Sequence, residues 1–198
     1  MSESVIVEKS GKAAIIKFNR PEIKNPLSVA TLENLERIFS ALSSDAAIEK
    51  IIFTGSGDTF ASGANLKEVA GLTRDSAREF GLRGQNLMRK IYNSEKLNVA
   101  AIDGFCMGGA LDLALSCGLR IASSRSVFAH PGASLGIITG WSGTQILPRL
   151  VGKKKAFEMF LTAKKVSASE ALEIGLINQI SETVVETALE IQMSEARR

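Results

Sequence analysis

The sequence has few of the residues that build metal and disulfide sites: one histidine and two cysteines among 198 residues. With so few nitrogen and sulfur ligands, any all-protein zinc site would lean on carboxylates, which argues against a metalloenzyme. Cys106 and Cys117 cannot make a disulfide framework. The N-terminus also lacks the basic, apolar and small-residue regions of a secretory signal. Both absences predict a reducing, cytoplasmic location. No apolar run is clean enough to span a bilayer, because the longest, Gly104 to Leu119, carries Asp112 near its middle, where a carboxylate is costly. Neither sign of charge dominates: 24 basic against 21 acidic residues leave +3. That excludes a broad nucleic-acid-binding face, while leaving room for a local basic patch that holds a phosphorylated ligand. The 17 glycines and 4 prolines follow no period, so collagen-like and low-complexity chains are excluded. No repeat of 20–50 residues is visible.

What is present is a core. At 45% hydrophobic and 23% charged, the chain carries enough apolar surface to offset the entropy of ordering it. Its length predicts one domain over residues 1–198. Val5–Glu8 and Ala13–Phe18 read as strands about a Gly11-Lys12 turn, and Asn19-Arg20-Pro21 ends the second. Ser28 reads as the N-cap of a helix over Val29–Leu42, with Leu32, Leu35, Ile38, Phe39 and Leu42 at 3 and 4 spacings. Lys50–Thr54 is a compact apolar strand closed by Gly55-Ser56-Gly57-Asp58. Phe60–Asn65 reads as a small-residue loop, Arg74–Tyr92 as a long helix, and Asn98–Ile102 as a buried strand. A helix follows from about Gly108 toward Cys117, then short strands at Arg120–Ala122 and Ser126–Phe128. Helices are expected over Gly143–Leu150 and Lys153–Leu161, and a capped start at Ser167-Ala168-Ser169-Glu170. Ile177–Ile180 reads as a last strand and Glu182–Arg198 as an amphipathic helical tail. The alternation predicts an α/β fold.

Three glycine-bearing junctions stand out: Ser62-Gly63-Ala64, Gly108-Gly109-Ala110 and Gly140 to Gly143. The second follows a strand and opens a helix, where unpaired N–H groups and the helix dipole favour negative charge. The same residues also suit a tight turn with close helix–sheet packing. G-x-G-x-x-G, G-x-x-x-x-G-K-[ST] and G-x-S-x-G are all absent, so dinucleotide, P-loop and serine-hydrolase classes lose their main support.

At these residues the chain resembles the crotonase family, the enoyl-CoA hydratase/isomerase superfamily. The resemblance is carried by Asn19-Arg20-Pro21 with Asn25 and Leu27, by Phe60 through Glu68, and by Asp103 through Ala114. It continues in Phe128-Ala129-His130-Pro131 with Leu135-Gly136, in Gly143-Thr144-Gln145 with Leu150-Val151-Gly152, and in Ala171 with Gly175 through Asn178. These segments stand in the family's order over about Val5–Ile180. The resemblance implies a spiral of strand–strand–helix units assembled as a trimer or dimer of trimers. It also implies an enzyme acting on acyl-CoA thioesters, with coenzyme A as part of the substrate and no separate cofactor. An oxyanion hole for the thioester enolate would be made by the backbone N–H groups of Ala64 and Gly109. Ala61, Ser62, Asn65 and Leu66 would receive the adenine and pantetheine, with Lys67 and Lys24 meeting the phosphates. Gly132 and Trp141 would line the acyl pocket.

The acid/base positions depart from the family pattern. Hydratases of the family carry two glutamates, and here the positions hold Asp112 and Gly132. His130, beside Pro131, is the substitute candidate, since imidazole titrates near neutral pH. Family members also continue past the Gly175–Asn178 motif with helices that cover the site, whereas residues 181–198 read as a truncated tail. The expected activity is hydratase-like lyase chemistry. The alternatives are decarboxylation or hydrolysis of another acyl-CoA, or a non-catalytic acyl-CoA-binding protein.

Overall fold

Three successive turns of the chain each lay one strand in a large sheet and a shorter strand in a second sheet before entering a helix. The computed structural model describes residues 3–192. In chain order the elements begin β1 (Val5–Ser10), β2 (Ala13–Phe18), β3 (Pro26–Leu27), α1 (Val29–Ser44), β4 (Lys50–Gly55), β5 (Thr59–Ala61) and β6 (Gly63–Ala64). They continue α2 (Leu66–Ala70), α3 (Arg74–Tyr92), β7 (Leu97–Ile102), β8 (Phe105–Met107), α4 (Gly109–Ser116), β9 (Leu119–Ala122) and β10 (Val127–Ala129). The last are α5 (Gly143–Val151), α6 (Lys153–Thr162), β11 (Val166–Ser167), α7 (Ala168–Glu173), β12 (Gln179–Ile180) and α8 (Val184–Glu190).

The six-stranded sheet runs β1-β2-β4-β7-β9-β12 and the four-stranded sheet β11-β10-β8-β5, while β3 pairs with β6. Consecutive turns therefore stack β4, β7 and β9 in one sheet and β5, β8 and β10 in the other. This is the expected spiral. Beyond the antiparallel β1–β2 hairpin, the large sheet is parallel, and its central strands are covered on both faces. That is why they read as unbroken apolar runs instead of alternating ones. Period two still sorts the side chains: Ile16, Ile51, Phe53, Ala100 and Ile102 enter the main core. Ile15, Ile52, Val99, Ala101 and Ile121 point the other way, where Val184 and Ala188 of α8 cover them.

Local capping chemistry sets the helix starts. Ser28 accepts the N–H of Thr31 at 3.1 Å, Thr73 and Ser76 form a capping box, and Ser167 accepts from Glu170 at 3.2 Å. Two expectations are corrected. Phe60–Asn65 is not a plain loop but holds β5 and β6 and the N-cap of α2, with Asn65 accepting from the N–H of Lys67. These short strands exist because β8 and β3 lie beside them, partners that no local pattern reveals. The tail helix is also shorter than expected, ending at Glu190, where Ile191 turns extended. The remainder of the expected tail, residues 193–198, lies outside the described residues.

Candidate active site

Two glycine junctions from different turns of the spiral meet at one cleft. Gly63 in β6 has φ 90° and Gly108, preceding α4, has φ 53°, backbone conformations that side chains disfavour. At Gly63 the approach is also close: a Cβ there would lie 2.6 Å from the carbonyl oxygen of Met107 and 3.0 Å from the amide of Gly109. Gly109 is the first residue of α4, so its N–H has no acceptor within the helix. Ala64 and Gly109 line the same cleft, of about 310 Å³, whose wall is otherwise largely apolar and includes Leu66, Val69, Phe80 and Trp141. Asn25, at φ 49°, fixes the turn ahead of β3. It accepts from the N–H of Arg20 at 2.7 Å and donates to the carbonyls of Ser56 and Thr59.

A buried polar cluster adjoins that wall, and two of its members, His130 and Thr139, line the cleft. Asp112, on the first turn of α4, is fully buried and is not among the residues lining the cleft. Its Oδ2 accepts from the Thr139 hydroxyl and from the N–H groups of Trp141 and Ser142, each at 3.3 Å. Its Oδ1 has no hydrogen-bond partner among the described residues, and neither has either ring nitrogen of His130. Nε2 of His130 stands 3.6 Å from that oxygen, and the ring packs on Phe160. Burial raises the pKa of Asp112, against the opposing pull of His130 and the Thr139 hydrogen bond. Burial lowers that of His130. Desolvation drives both shifts toward the neutral forms, and the attraction between the two groups opposes each of them. Thr139 is the functional candidate that the sequence reading missed. It lines the cleft and also bonds Asp112, linking the two.

Gly132 lines the cleft as expected, but its lack of a side chain has a structural reason. A Cβ there would run into the carbonyl oxygen of Ile137, whose own N–H donates to the Gly132 carbonyl at 3.0 Å. Restoring a glutamate by Gly132→Glu is therefore expected to destabilise the protein by about 1–3 kcal/mol, the usual cost of overpacking, without raising turnover. Thermal melting and steady-state kinetics on the variant check this.

Of the residues assigned to coenzyme A, Ser62 and Leu66 line the cleft. Ala61 is buried in β5, while Ser62 donates its N–H to the carbonyl of Lys24 at 3.0 Å. Leu66 and Lys67 are exposed. The Lys67 ammonium has no ion pair among the described residues. Lys24 instead bonds both oxygens of Asp58 at 2.8 Å, holding that carboxyl below its ordinary range. Such an exposed pair contributes little to stability and exchanges readily with other ions. Cys106 and Cys117 are both buried, and desolvation pushes the Cys106 thiol up, which leaves it unreactive. Among the described residues, no cluster of His, Cys, Asp and Glu could hold a metal ion. No helix there is long and apolar enough to cross a membrane.

The match to the enoyl-CoA hydratase/isomerase family covers residues 8–196. The chain is 42% identical over 179 residues to a crotonyl-CoA hydratase of Syntrophomonas wolfei, covering 90% of this chain and 69% of that protein. It is 39% identical over 191 residues to a short-chain-enoyl-CoA hydratase of Clostridium acetobutylicum, covering 95% and 73%. The solved enoyl-CoA hydratase of Bacillus anthracis superposes with a TM-score of 0.90 at 33% identity, over 95% of this chain and 74% of that one. The Pseudomonas aeruginosa protein DspI superposes equally well at 34% identity, over 95% and 78%. A family match over almost the whole chain, with relatives near 40% identity and a shared spiral, establishes the chain as an enzyme of the enoyl-CoA hydratase/isomerase family, with the crotonase fold.

Proposed function

We propose that the protein adds water across the double bond of enoyl-CoA thioesters, with Asp112 as the single carboxylate that moves the proton. The carrying observation is that Thr139, bonded to Asp112, lines the same cleft as the amides of Ala64 and Gly109. The thioester oxygen sits between those two amides, which stabilise the enolate where its charge develops. Water attacks the β-carbon as one of its protons passes to the Thr139 oxygen and the hydroxyl proton passes to Asp112. The raised pKa of Asp112 suits a group that must accept a proton and then release it. The same proton returns along this path to the α-carbon, so substrate plus water yields the 3-hydroxyacyl thioester with no group consumed. Burial keeps the Asp112 carboxylate basic, against the opposing pull of His130. One carboxylate serving both steps matches the absence of a side chain at Gly132.

Coenzyme A enters as part of the substrate and no further cofactor is needed. Lys67 meets its phosphates, and Lys24 joins by exchanging Asp58 for a phosphate oxygen. Self-association as a trimer or dimer of trimers is supported by Phe157 and Leu161, which are 61% and 73% exposed and four residues apart on one face of α6, an apolar patch of the kind that marks an interaction surface. Light scattering should give a mass of three or six chains, and a monomer counts against it. The proposed location is the reducing cytoplasm.

The test is turnover of a panel of enoyl-, 2-carboxyacyl- and saturated acyl-CoAs, read by mass change. Gain of water supports hydration; loss of carbon dioxide, release of free coenzyme A, or binding alone each supports an alternative. Thr139→Val, which keeps the shape and removes the hydroxyl, should lower kcat about 10²-fold or more, and Thr139→Ser should recover most of it. Equal activity in the valine and serine variants would remove Thr139 from the proton path.

A further inference from the structure

The indole of Trp141 occupies a seat that two distant glycines make for it. A Cβ at Gly84, in the middle of α3, or at Gly109, at the start of α4, would run into the ring. Glycine weakens a helix interior, and the position of the indole accounts for Gly84 being there. Phe80, one turn earlier on α3, packs against the ring at 5.5 Å between centroids. The backbone on either side is tied as well. The Gly140 carbonyl accepts from Gln85 Nε2 at 2.8 Å, and the N–H of Trp141 is held by Asp112. Only 5% of Trp141 is exposed. Held by α3, α4 and the carboxylate, it is a rigid feature and not a side chain free to swing.

Two cavities meet at this residue. The acyl cleft of about 310 Å³ and a second cleft of about 450 Å³ share Gly140 and Trp141 as lining residues. The second cleft has a different character, with Gln85, Arg89, Asn93 and Arg149 in its wall. It carries neither oxyanion amide nor any residue assigned to coenzyme A.

We propose that Trp141 is the end wall of the acyl cleft and sets the longest acyl chain that the protein accepts, so the substrates are short-chain thioesters. This rests on the acyl-CoA reading above and deepens it. A chain that stops short of the indole buries each added methylene in the apolar cleft, which is worth about fourfold in affinity per methylene. A longer chain meets a ring that cannot yield without breaking its contacts with α3 and α4, so the gain ends. Removing the indole joins the two clefts, and the chain end then passes between α3 and α5 toward the polar side.

The test measures binding and does not depend on turnover. Calorimetric titration of the purified chain with butyryl-, hexanoyl-, octanoyl- and decanoyl-CoA should show affinity rising with length and then levelling or falling. In Trp141→Ala the rise should continue to decanoyl-CoA, shifting the decanoyl-to-butyryl affinity ratio by tenfold or more. Trp141→Leu, which loses less packing and serves if the alanine variant does not fold, should move the break part of the way. A wild-type profile that rises unbroken to decanoyl-CoA, or the same break in wild type and folded variants, would overturn the wall. Failure of every acyl-CoA to bind would instead remove the acyl-CoA reading itself.

Discussion

Replacing Gly63 by alanine is expected to lower kcat/KM for the enoyl-CoA substrate by about 10²–10³-fold, the loss usual when one oxyanion donor is misplaced. The cause is geometric. Gly63 sits at φ 90°, and its absent Cβ would lie 2.6 Å from the Met107 carbonyl oxygen and 3.0 Å from the Gly109 amide. Something must move apart: β6 from α4, and with it Ala64 from Gly109. A displacement near 1 Å is enough for a loss of about 10²-fold. The strained backbone adds about 1–3 kcal/mol of destabilisation, so circular dichroism melting should accompany the kinetics. Gly63 is a cleaner site than Gly109, where any side chain would also strike Trp141. The thioester carbonyl stretch of a bound, isotope-labelled acyl-CoA gives a direct readout. It should fall in frequency on binding to the wild type and fall less in the variant. An unshifted carbonyl in the wild type would dismiss the two-amide hole.

Asp112→Asn should lower kcat by about 10²–10⁴-fold, the range for losing a positioned acid or base, while making the protein no less stable at neutral pH. Asparagine keeps an oxygen to accept from Thr139, Trp141 and Ser142 but cannot take up the proton. The stability result follows from the sign of the shift. Burial raises the folded-state pKa of Asp112 above 3.8, so the folded state holds its proton more tightly than the unfolded chain does. That favourable contribution is complete below the unfolded pKa and is lost as pH rises through the raised folded value. Above that value the wild type carries a buried carboxylate facing a neutral His130. The variant carries none, so its melting temperature should match or exceed that of the wild type at neutral pH, with the difference vanishing in acid. For the same reason the acid limb of the wild-type kcat/KM profile should lie above the ordinary carboxylate range. A limb at the ordinary value, or full activity in the variant, would show that Asp112 does not carry the proton.

Much of the fold was legible because its causes are local. The helix over Arg74–Tyr92 is found with the bounds read for it in the sequence, and Ser28 and Ser167 cap the helices they precede. The strands β2, β4 and β7 announce themselves as apolar runs, since burial on both faces removes any polar alternation. The Ser62-Gly63-Ala64 and Gly108-Gly109 junctions were equally visible, because only glycine fits those backbone angles and approaches. Tertiary structure alone decided how these pieces serve a site. β5 and β6 form only beside strands remote in sequence, and Thr139 acquires meaning only when its hydroxyl meets Asp112, 27 residues earlier in the chain. Gly132, read as a missing carboxylate, proves to be a position that the Ile137 carbonyl leaves no room to fill. Trp141, read as pocket wall, is seated between Gly84 and Gly109 on two different helices. Periodicity and capping act over a few residues and can be read along the chain. Side-chain contacts between turns of the spiral depend on how those turns stack, and no single stretch of sequence contains them.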